Sequence, residues 1–144
     1  MFVDEVAITL KAGHGGAGKV SFFPFMGGPD GGNGGRGGDI YLTSTSDLFA
    51  LAKFSHKKLW KAADGQTGRS NTKTGRDGDD IEIVVPQGSI LTETTTSETI
   101  EILPNTYMLP ICKGGKGGMG NHDLKSARNT TPEHAQHGLP GEEK

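Results

Sequence analysis

Short runs of alternating apolar and polar residues recur along the chain and predict β-strands. The alternation is clearest at residues 6–10 (VAITL) and 81–83 (IEI), where it is typical of strands with one buried and one solvent-facing side. Strands are predicted at residues 2–11, 20–23, 39–45, 80–85, 89–93, 98–103 and 106–113. Because turn residues separate these many short strands, the pattern favours a mainly β domain, either a small sandwich or a barrel.

A helix is predicted in one place. Residues 47–53 (DLFALAK) have a helical pattern of about two turns, with Asp47 or Ser46 as the N-cap. Residues 56–62 fit a helix or a strand equally well. In that segment Leu59 and Trp60 are expected to pack inward and the lysines to point outward.

Three glycine-rich tracts, residues 13–18, 27–38 and 114–120, interrupt the β pattern, and the chain has 24 glycines in 144 residues. Paired glycines recur every third residue in the second and third tracts. Three residues per turn is the period of polyproline II, whereas an α-helix would lose about 1 kcal/mol for each glycine relative to alanine. The paired positions are Gly31, Gly32, Gly34, Gly35, Gly37, Gly38, Gly114, Gly115, Gly117 and Gly118.

A flexible linker is the simplest interpretation of one glycine-rich tract, but three tracts favour packing. A polyproline II segment has no internal hydrogen bonds, so a packed one must find its partners on neighbouring segments. Paired glycines leave two sides of each segment bare, so that backbones can approach closely. The sequence therefore predicts a hydrogen-bonded glycine bundle standing on the β domain, with every third residue pointing outward: Asn33, Arg36, Asp39, Lys116 and Met119.

The formal net charge of −2 hides a strong segregation of charge along the chain. Residues 53–76 and 113–128 are basic, whereas residues 77–101 contain acidic residues and no Lys or Arg. Blocks of one sign create local potentials, although they can also be solvated faces that neutralise each other. The basic residues share their segments with Gly, Asn, Ser and Thr, a composition typical of exposed loops.

Several kinds of chemistry are excluded or weakly supported. The single cysteine, Cys112, excludes an internal disulfide and is expected to be a small core residue. The five histidines lack metal-ligand spacing, so neither a metal site nor a catalytic residue is predicted. Asp79 and Asp80 are expected to cap a loop by accepting backbone N–H groups. No signal peptide or apolar stretch of membrane-spanning length is found, which suggests a cytoplasmic protein.

Residues 13–18 match the dinucleotide pattern GxGxxG, and with Lys19 they match most of a P-loop. Val20 stands where a P-loop needs Ser or Thr, and the aromatic, proline-broken segment that follows does not favour a helix. A nucleotide-binding enzyme acting through residues 13–19 is therefore an alternative hypothesis. A purely structural or protein-binding glycine bundle is another.

Motifs along almost the whole chain resemble the N-terminal domain of the Obg/CgtA family of ribosome-assembly GTPases. They are residues 2–6 (FVDEV), 11–16 (KAGHGG), 27–39 (GGPDGGNGGRGGD), 113–121 (KGGKGGMGN) and 138–143 (GLPGEE). The resemblance implies an eight-stranded β-sandwich with the glycine-rich segments inserted as packed, left-handed polyproline II-type helices. It also implies an Obg domain at residues 1–141, with residues 142–144 beginning a linker to a GTPase domain.

The resemblance also implies a function. Members of the family bind the rRNA of the large ribosomal subunit, act late in its assembly, keep the two subunits apart and are tied to the stringent response. Their N-terminal domain is thought to imitate a tRNA acceptor arm near the peptidyl transferase centre. GTP and Mg²⁺ belong to the following domain, so this chain alone is expected neither to bind nor to hydrolyse GTP. Ribosomal proteins and stringent-response factors are further expected partners, and a monomer is expected.

One stretch departs from the family pattern. The family usually has an Arg/Lys/Glu-rich stretch where residues 22–26 here read FFPFM, and the stretch here is shorter. The basic contacts are therefore expected to shift to residues 65–76, with Arg69, Lys73 and Arg76 as RNA contacts at a tip. The predicted flanking phosphate contacts are Lys57, Lys58, Lys61, Lys116, Lys125 and Arg128.

Overall fold

The computed structural model describes residues 5–24, 27–47, 49–125 and 130–144. These residues are mainly β, as the sequence predicts. The elements in chain order are β1 (Thr9–Lys11), β2 (Ile40–Thr45), α1 (Ala52–His56), β3 (Leu59–Lys61), β4 (Ile81–Pro86), β5 (Ile90–Thr92), β6 (Thr99–Glu101), β7 (Leu109–Cys112) and α2 (Asn121–Leu124).

The strands form three small sheets. In the largest, β2 lies between β4, to which it is parallel, and β7, to which it is antiparallel. Strands β1 and β3 form a parallel pair, and β5 and β6 form an antiparallel pair. In the described part of the chain none of these sheets closes into a barrel.

The hydrophobic core lies on one side of the three-stranded sheet. Alternate residues of β2 and β4 are buried, as period-two patterning requires, and Leu42 stands opposite Ile83 in the parallel register. Phe54 of α1 packs into the same core, with its ring centroid 5.2 Å from that of Trp60. Cys112 is also in the core, where burial raises the pKa of its thiol to about 11. The prediction of a core cysteine is confirmed.

Several predicted elements differ from the structure. The helix begins at Ala52 rather than at residue 47, because Asp47 instead accepts the N–H of Phe49 in a preceding turn. No strand spans residues 20–23, where Phe22 makes an isolated bridge to Pro29. Leu59 is 48% exposed, so the prediction that it packs inward is wrong. Residues 2–4 of the first predicted strand lie outside the described residues.

Segments without regular helix or strand are joined by backbone hydrogen bonds that recur at every third residue. The N–H groups of Gly13, Gly16 and Lys19 donate to the carbonyls of Gly38, Gly35 and Gly32 at 2.8–2.9 Å. The pairing extends over segments 13–19, 31–38, 63–69, 73–79, 113–120 and 136–142, here called the glycine-rich region. The glycine-rich tracts are therefore ordered partners rather than linkers.

The register of these bonds arranges the glycine-rich region as three antiparallel hairpins. Segment 13–19 runs against 31–38, segment 63–69 against 73–79, and segment 113–120 against 136–142. Every hairpin starts at the β-sheets and turns at the same opposite end, here called the distal end. Eight residues of extended chain reach at most about 29 Å, which bounds the length of each hairpin arm.

Close backbone contact explains the glycines. A Cβ added at Gly34 would overlap the carbonyl of Gly16, and nearly every glycine outside residues 27–28 and 88 meets a neighbouring backbone in the same way. Among the residues between the glycine pairs, Arg36, Lys116 and Met119 are exposed as predicted. Asn33 and Asp39 are only half-exposed, because their side chains accept the N–H groups of Gly120 and Gly114.

Candidate nucleic-acid interface

Asp30 connects two of the hairpin turns at the distal end. This residue is 1% exposed, and its N–H donates to the carbonyl of Ser21 at 2.8 Å. Its carboxylate Oδ2 accepts the N–H of Asn71 at 3.0 Å, and its carbonyl accepts the N–H of Thr72 at 2.7 Å. Turn 70–73 is therefore fastened onto the connection that precedes segment 31–38.

Turn 70–73 has an unusual backbone. Asn71 and Thr72 have φ angles of 59° and 60°, in the left-handed region that a β-branched residue such as Thr rarely adopts. Two successive residues with positive φ are typical of a tight type I′ hairpin turn. The bonds from Asp30 compensate for this strain. They fix the positions from which the exposed side chains of Arg69 and Lys73 leave the two arms.

Asn121 fastens the third distal connection. Its side chain is fully buried, and its Oδ1 accepts the N–H of Gly31 at 2.8 Å. Its Nδ2 donates to the carbonyls of Ser21 and Pro132, each at 3.0 Å. Asn121 therefore joins the first and third distal connections to each other, whereas Asp30 joins turn 70–73 to the first.

The structure places Arg69, Lys73 and Arg76 on one hairpin, as exposed side chains. The N–H of Arg69 donates to the carbonyl of Lys73 at 2.9 Å, so these two residues form the last hydrogen-bonded rung before the turn. Arg76 lies one rung further from the tip, where its carbonyl accepts the N–H of Gln66. In the described part of the chain none of the three makes an ion pair, which leaves their charges available to a partner.

The predicted flanking residues fall into two groups. Lys116 lies midway along its segment, and Lys125 follows α2 near the distal end, both exposed. By contrast, Lys57, Lys58 and Lys61 lie beside β3 at the β-sheet end and are not brought to the distal end. Arg128 lies outside the described residues.

The lysines at the β-sheet end have local partners. Lys57 Nζ lies 4.3 Å from the centroid of the Trp60 ring, a cation–π contact. Lys61 Nζ forms an ion pair of 2.9 Å with Asp64. These contacts give both lysines a structural role within their own segment.

Several carboxylates are used to satisfy the backbone of the glycine-rich region. Asp80 accepts the N–H of Asp39, as predicted for a capping residue, whereas Asp79 uses its backbone carbonyl to accept the N–H of Ala63. Burial by itself would raise the pKa of Asp39. The hydrogen bonds from Gly114 and Tyr41, together with Arg36, outweigh that effect and lower the pKa below its ordinary value. The carboxylates of Asp39 and Asp80 therefore help to hold the hairpins together.

The GTP1/OBG family model matches residues 3–144. The chain belongs to the GTP1/OBG family. It is 40% identical to the GTPase Obg of Persephonella marina over 99% of this chain and 44% of that relative. It is 42% identical to the GTPase Obg of Brachyspira hyodysenteriae over 98% of the chain and 22% of the relative. It is 43% identical to the GTPase Obg of Synechococcus elongatus over 99% and 43%. The chain thus spans less than half the length of these relatives.

Residues 13–19 of this GTP1/OBG family member do not fit a nucleotide phosphate. A P-loop needs free backbone N–H groups and a helix N-terminus facing the phosphates. Here the N–H groups of residues 13, 15, 16, 18 and 19 already donate to carbonyls of neighbouring segments. No helix follows in residues 20–24. The motif is part of the hydrogen-bonded glycine-rich region, and we derive no nucleotide chemistry from it.

The described residues contain no group of three or more His, Cys, Asp or Glu side chains arranged to hold a metal ion. Across the same residues, no helix is long and apolar enough to cross a membrane.

Two features of the glycine-rich region are not predicted from the sequence. Segments 63–69, 73–79 and 136–142 join the glycine-rich region although none contains paired glycines. The sequence feature that could have identified these segments is a pair of single glycines three residues apart in each: Gly65 and Gly68, Gly75 and Gly78, Gly138 and Gly141. Lys19, considered only as part of a P-loop motif, is an exposed cation on the last rung of its hairpin.

Proposed function

We propose that this chain is an rRNA-binding domain that docks on the large ribosomal subunit. Its distal end would enter near the peptidyl transferase centre in the manner of a tRNA acceptor arm. The observation that carries the proposal is the rung formed by Arg69 and Lys73, two exposed cations that make no ion pair with any described residue, at a turn that Asp30 holds in place. Cations fixed on a projecting turn neutralise phosphates and position the protein on RNA.

The projecting shape depends on the backbone of the glycine-rich region. We propose that its segments are left-handed polyproline II-type helices standing on an eight-stranded β-sandwich within residues 1–141. Hydrogen bonds at every third residue, and the lack of room for a Cβ at Gly34, support this geometry. A stiff projection holds its tip at a set distance from the sheets. Residues 142–144, proposed as the start of a linker, pair with β1 through bonds between Leu10 and Lys144.

The proposal extends to the whole protein of which this domain forms part. We propose a cytoplasmic, monomeric GTPase that acts late in large-subunit assembly and prevents premature subunit association. GTP and Mg²⁺ would bind in the portion of the relatives that this chain does not match. Ribosomal proteins and stringent-response factors are proposed as further partners. The name of the relatives, GTPase Obg, supports the GTPase part of this proposal.

Co-sedimentation of the chain with purified large ribosomal subunits tests the proposal. The variant R69E/K73E/R76E reverses the charges on the distal hairpin, and it is expected to reduce binding and flatten its salt dependence. The matched control is K57E/K58E/K61E, the same change in charge at the β-sheet end, for which a smaller loss is expected. Equal losses in the two variants would remove the special role of the distal turn. Binding insensitive to salt would favour the protein-binding alternative.

A further inference from the structure

An exposed phenylalanine lies at the distal end. Phe22 pairs with Pro29 in a hairpin that is closed by a 2.8 Å bond from the N–H of Phe23 to the carbonyl of Gly28. Phe23 is half-buried, and its Cδ2 lies 3.8 Å from where a Cβ on Gly28 would stand, so its ring lies against the hairpin backbone. Phe22, by contrast, is 38% exposed.

The Phe22 hairpin is fixed against the cationic turn. Ser21 Oγ and Ser70 Oγ share a hydrogen bond of 3.0 Å between the two connections. Phe22 directly follows Ser21 and Arg69 directly precedes Ser70, so the two residues adjoin the same contact along the chain. Asp30 adds a second link, because it binds the backbone of Ser21 and of turn 70–73 together.

We propose that Phe22 is a stacking platform for an unpaired RNA base, while Arg69 and Lys73 neutralise the adjoining phosphates. This inference rests on the proposed function and names the kind of RNA that the distal end would take. Every base offers a π-face to an aromatic ring, and unpaired bases in RNA loops and ends are free to stack. Bases within a duplex are already stacked on each other. The distal end would therefore prefer single-stranded or looped RNA.

The charges near Phe22 favour RNA over an apolar protein partner. Lys19 lies three residues before Phe22 and, like Arg69 and Lys73, it is exposed and makes no ion pair in the described part of the chain. Asp30, the carboxylate closest to Phe22 in sequence, is buried and accepts a backbone N–H. An exposed ring at the same end of the molecule as exposed cations is the combination that single-stranded nucleic acids bind, because the ring can stack on a base and the cations can neutralise the phosphates.

Fluorescence titrations with three RNA probes test the inference. The probes are a labelled single-stranded 12-mer, the same strand with abasic residues at its four central positions, and the duplex of the intact strand. The wild-type chain is expected to bind the intact strand at least about fivefold more tightly than the abasic strand, which has the same phosphates. This comparison requires no variant and therefore does not depend on a mutant folding.

Variants of the chain assign the effect to the ring. F22L is expected to lower affinity for the intact strand by about the same factor and to leave the abasic strand unchanged, whereas F22W retains the preference. The matched control is Y107L, because Tyr107 is an aromatic residue, 77% exposed, that follows β6 and precedes β7 of the sheets. Its replacement is expected to change neither affinity.

The remaining outcomes separate this inference from the proposed function. Equal affinity for intact and abasic strands overturns the stacking role while RNA binding stands. An equal loss for both strands in F22L shows a structural role and also overturns it. Binding of large ribosomal subunits without binding of any probe overturns the stacking role alone. Failure to bind both subunits and probes overturns the two proposals together.

Discussion

The carboxylate of Asp30 accepts the backbone N–H of Asn71 at 3.0 Å, across 41 residues of sequence. Its other oxygen, Oδ1, is buried and has no hydrogen-bond partner among the described residues. A buried carboxylate with one oxygen unused is costly, so the bond to turn 70–73 has to offset that cost. Asp30 therefore positions the strained turn 70–73. It thereby also positions Arg69 and Lys73, the two cations of the last hydrogen-bonded rung before that turn.

Replacing Asp30 tests this role. D30A is expected to destabilise the domain by about 1–3 kcal/mol, because it leaves the N–H of Asn71 without its partner. D30N keeps one carbonyl oxygen as an acceptor and is expected to lose less. Urea unfolding gives the free energies, and amide exchange at residues 71 and 72 reports the turn directly. D47A, which removes a similar turn contact beyond β2, serves as the control: faster exchange at residues 71 and 72 in that variant would contradict the assignment.

Gly34 and Gly28 provide a matched pair for the close packing of the glycine-rich region. G34A places a methyl group onto the carbonyl of Gly16, and it is expected to cost about 3 kcal/mol or more because backbone has to move. At Gly28 the nearest atom of the described residues to an added Cβ is 3.8 Å away, an ordinary contact, so G28A is expected to change stability by less than about 0.5 kcal/mol. Thermal and urea unfolding measure both. Similar losses at the two positions would argue against close packing.

The central strands were predicted correctly because each buries one side, and this burial requires an apolar residue at every second position. Leu42 and Ile83 are buried, and strands β2 and β4 lie within a residue of their predicted bounds. The start of helix α1 was predicted too early because Asp is favoured both at the start of a helix and in turns. Here the Asp47 carboxylate accepts the N–H of Phe49 in a turn that precedes the helix. Nothing local predicts turn 70–73, since Thr72 disfavours positive φ and the group that stabilises it, Asp30, is distant in sequence.

Only the segments with paired glycines were predicted to belong to the glycine-rich region. Paired glycines every three residues are a strong signal, and the tracts that contain them are joined to each other as expected. Single glycines such as Gly65 and Gly68, set among polar residues, resemble an ordinary loop, so their segments were missed. Likewise, the prediction grouped Lys57 with Arg69 by charge alone, whereas the hairpin topology places them at opposite ends. The RNA contacts of all these residues stay predictions.

Acid is expected to destabilise the domain through Asp39, Asp64 and Asp123. Hydrogen bonds from Lys61 and from the N–H of His14 lower the pKa of Asp64, and bonds from Asn33 and His122 lower that of Asp123. Since each folded-state pKa lies below the ordinary value of 3.8, the unfolded chain binds more protons in this range. The stabilisation is therefore complete above about pH 4–5 and is lost as the pH falls through the folded-state values.

Urea titrations between pH 7 and pH 3 measure this dependence. The isosteric variant D39N is expected to be less stable than wild type at pH 7, and this difference is expected to shrink as the pH falls below about 4 toward the lowered pKa of Asp39. A constant difference between D39N and wild type at every pH would contradict the assignment to the Asp39 carboxylate.

Backbone amide exchange tests whether the distal end is held by a stiff support. Gly16 donates to Gly35, Gly35 donates to Gln66, and Gly118 donates to Gly16, so four different segments depend on one another. Because these glycines are buried and bonded, their amides are expected to exchange much more slowly than those of the exposed residues 94–96, and about as slowly as that of Leu42 in β2. Gly16, Gly35 and Gly118 exchanging at the rate of an unstructured peptide would mean that the glycine-rich region is mobile in solution. The cations at its tip would then have no fixed position from which to reach RNA.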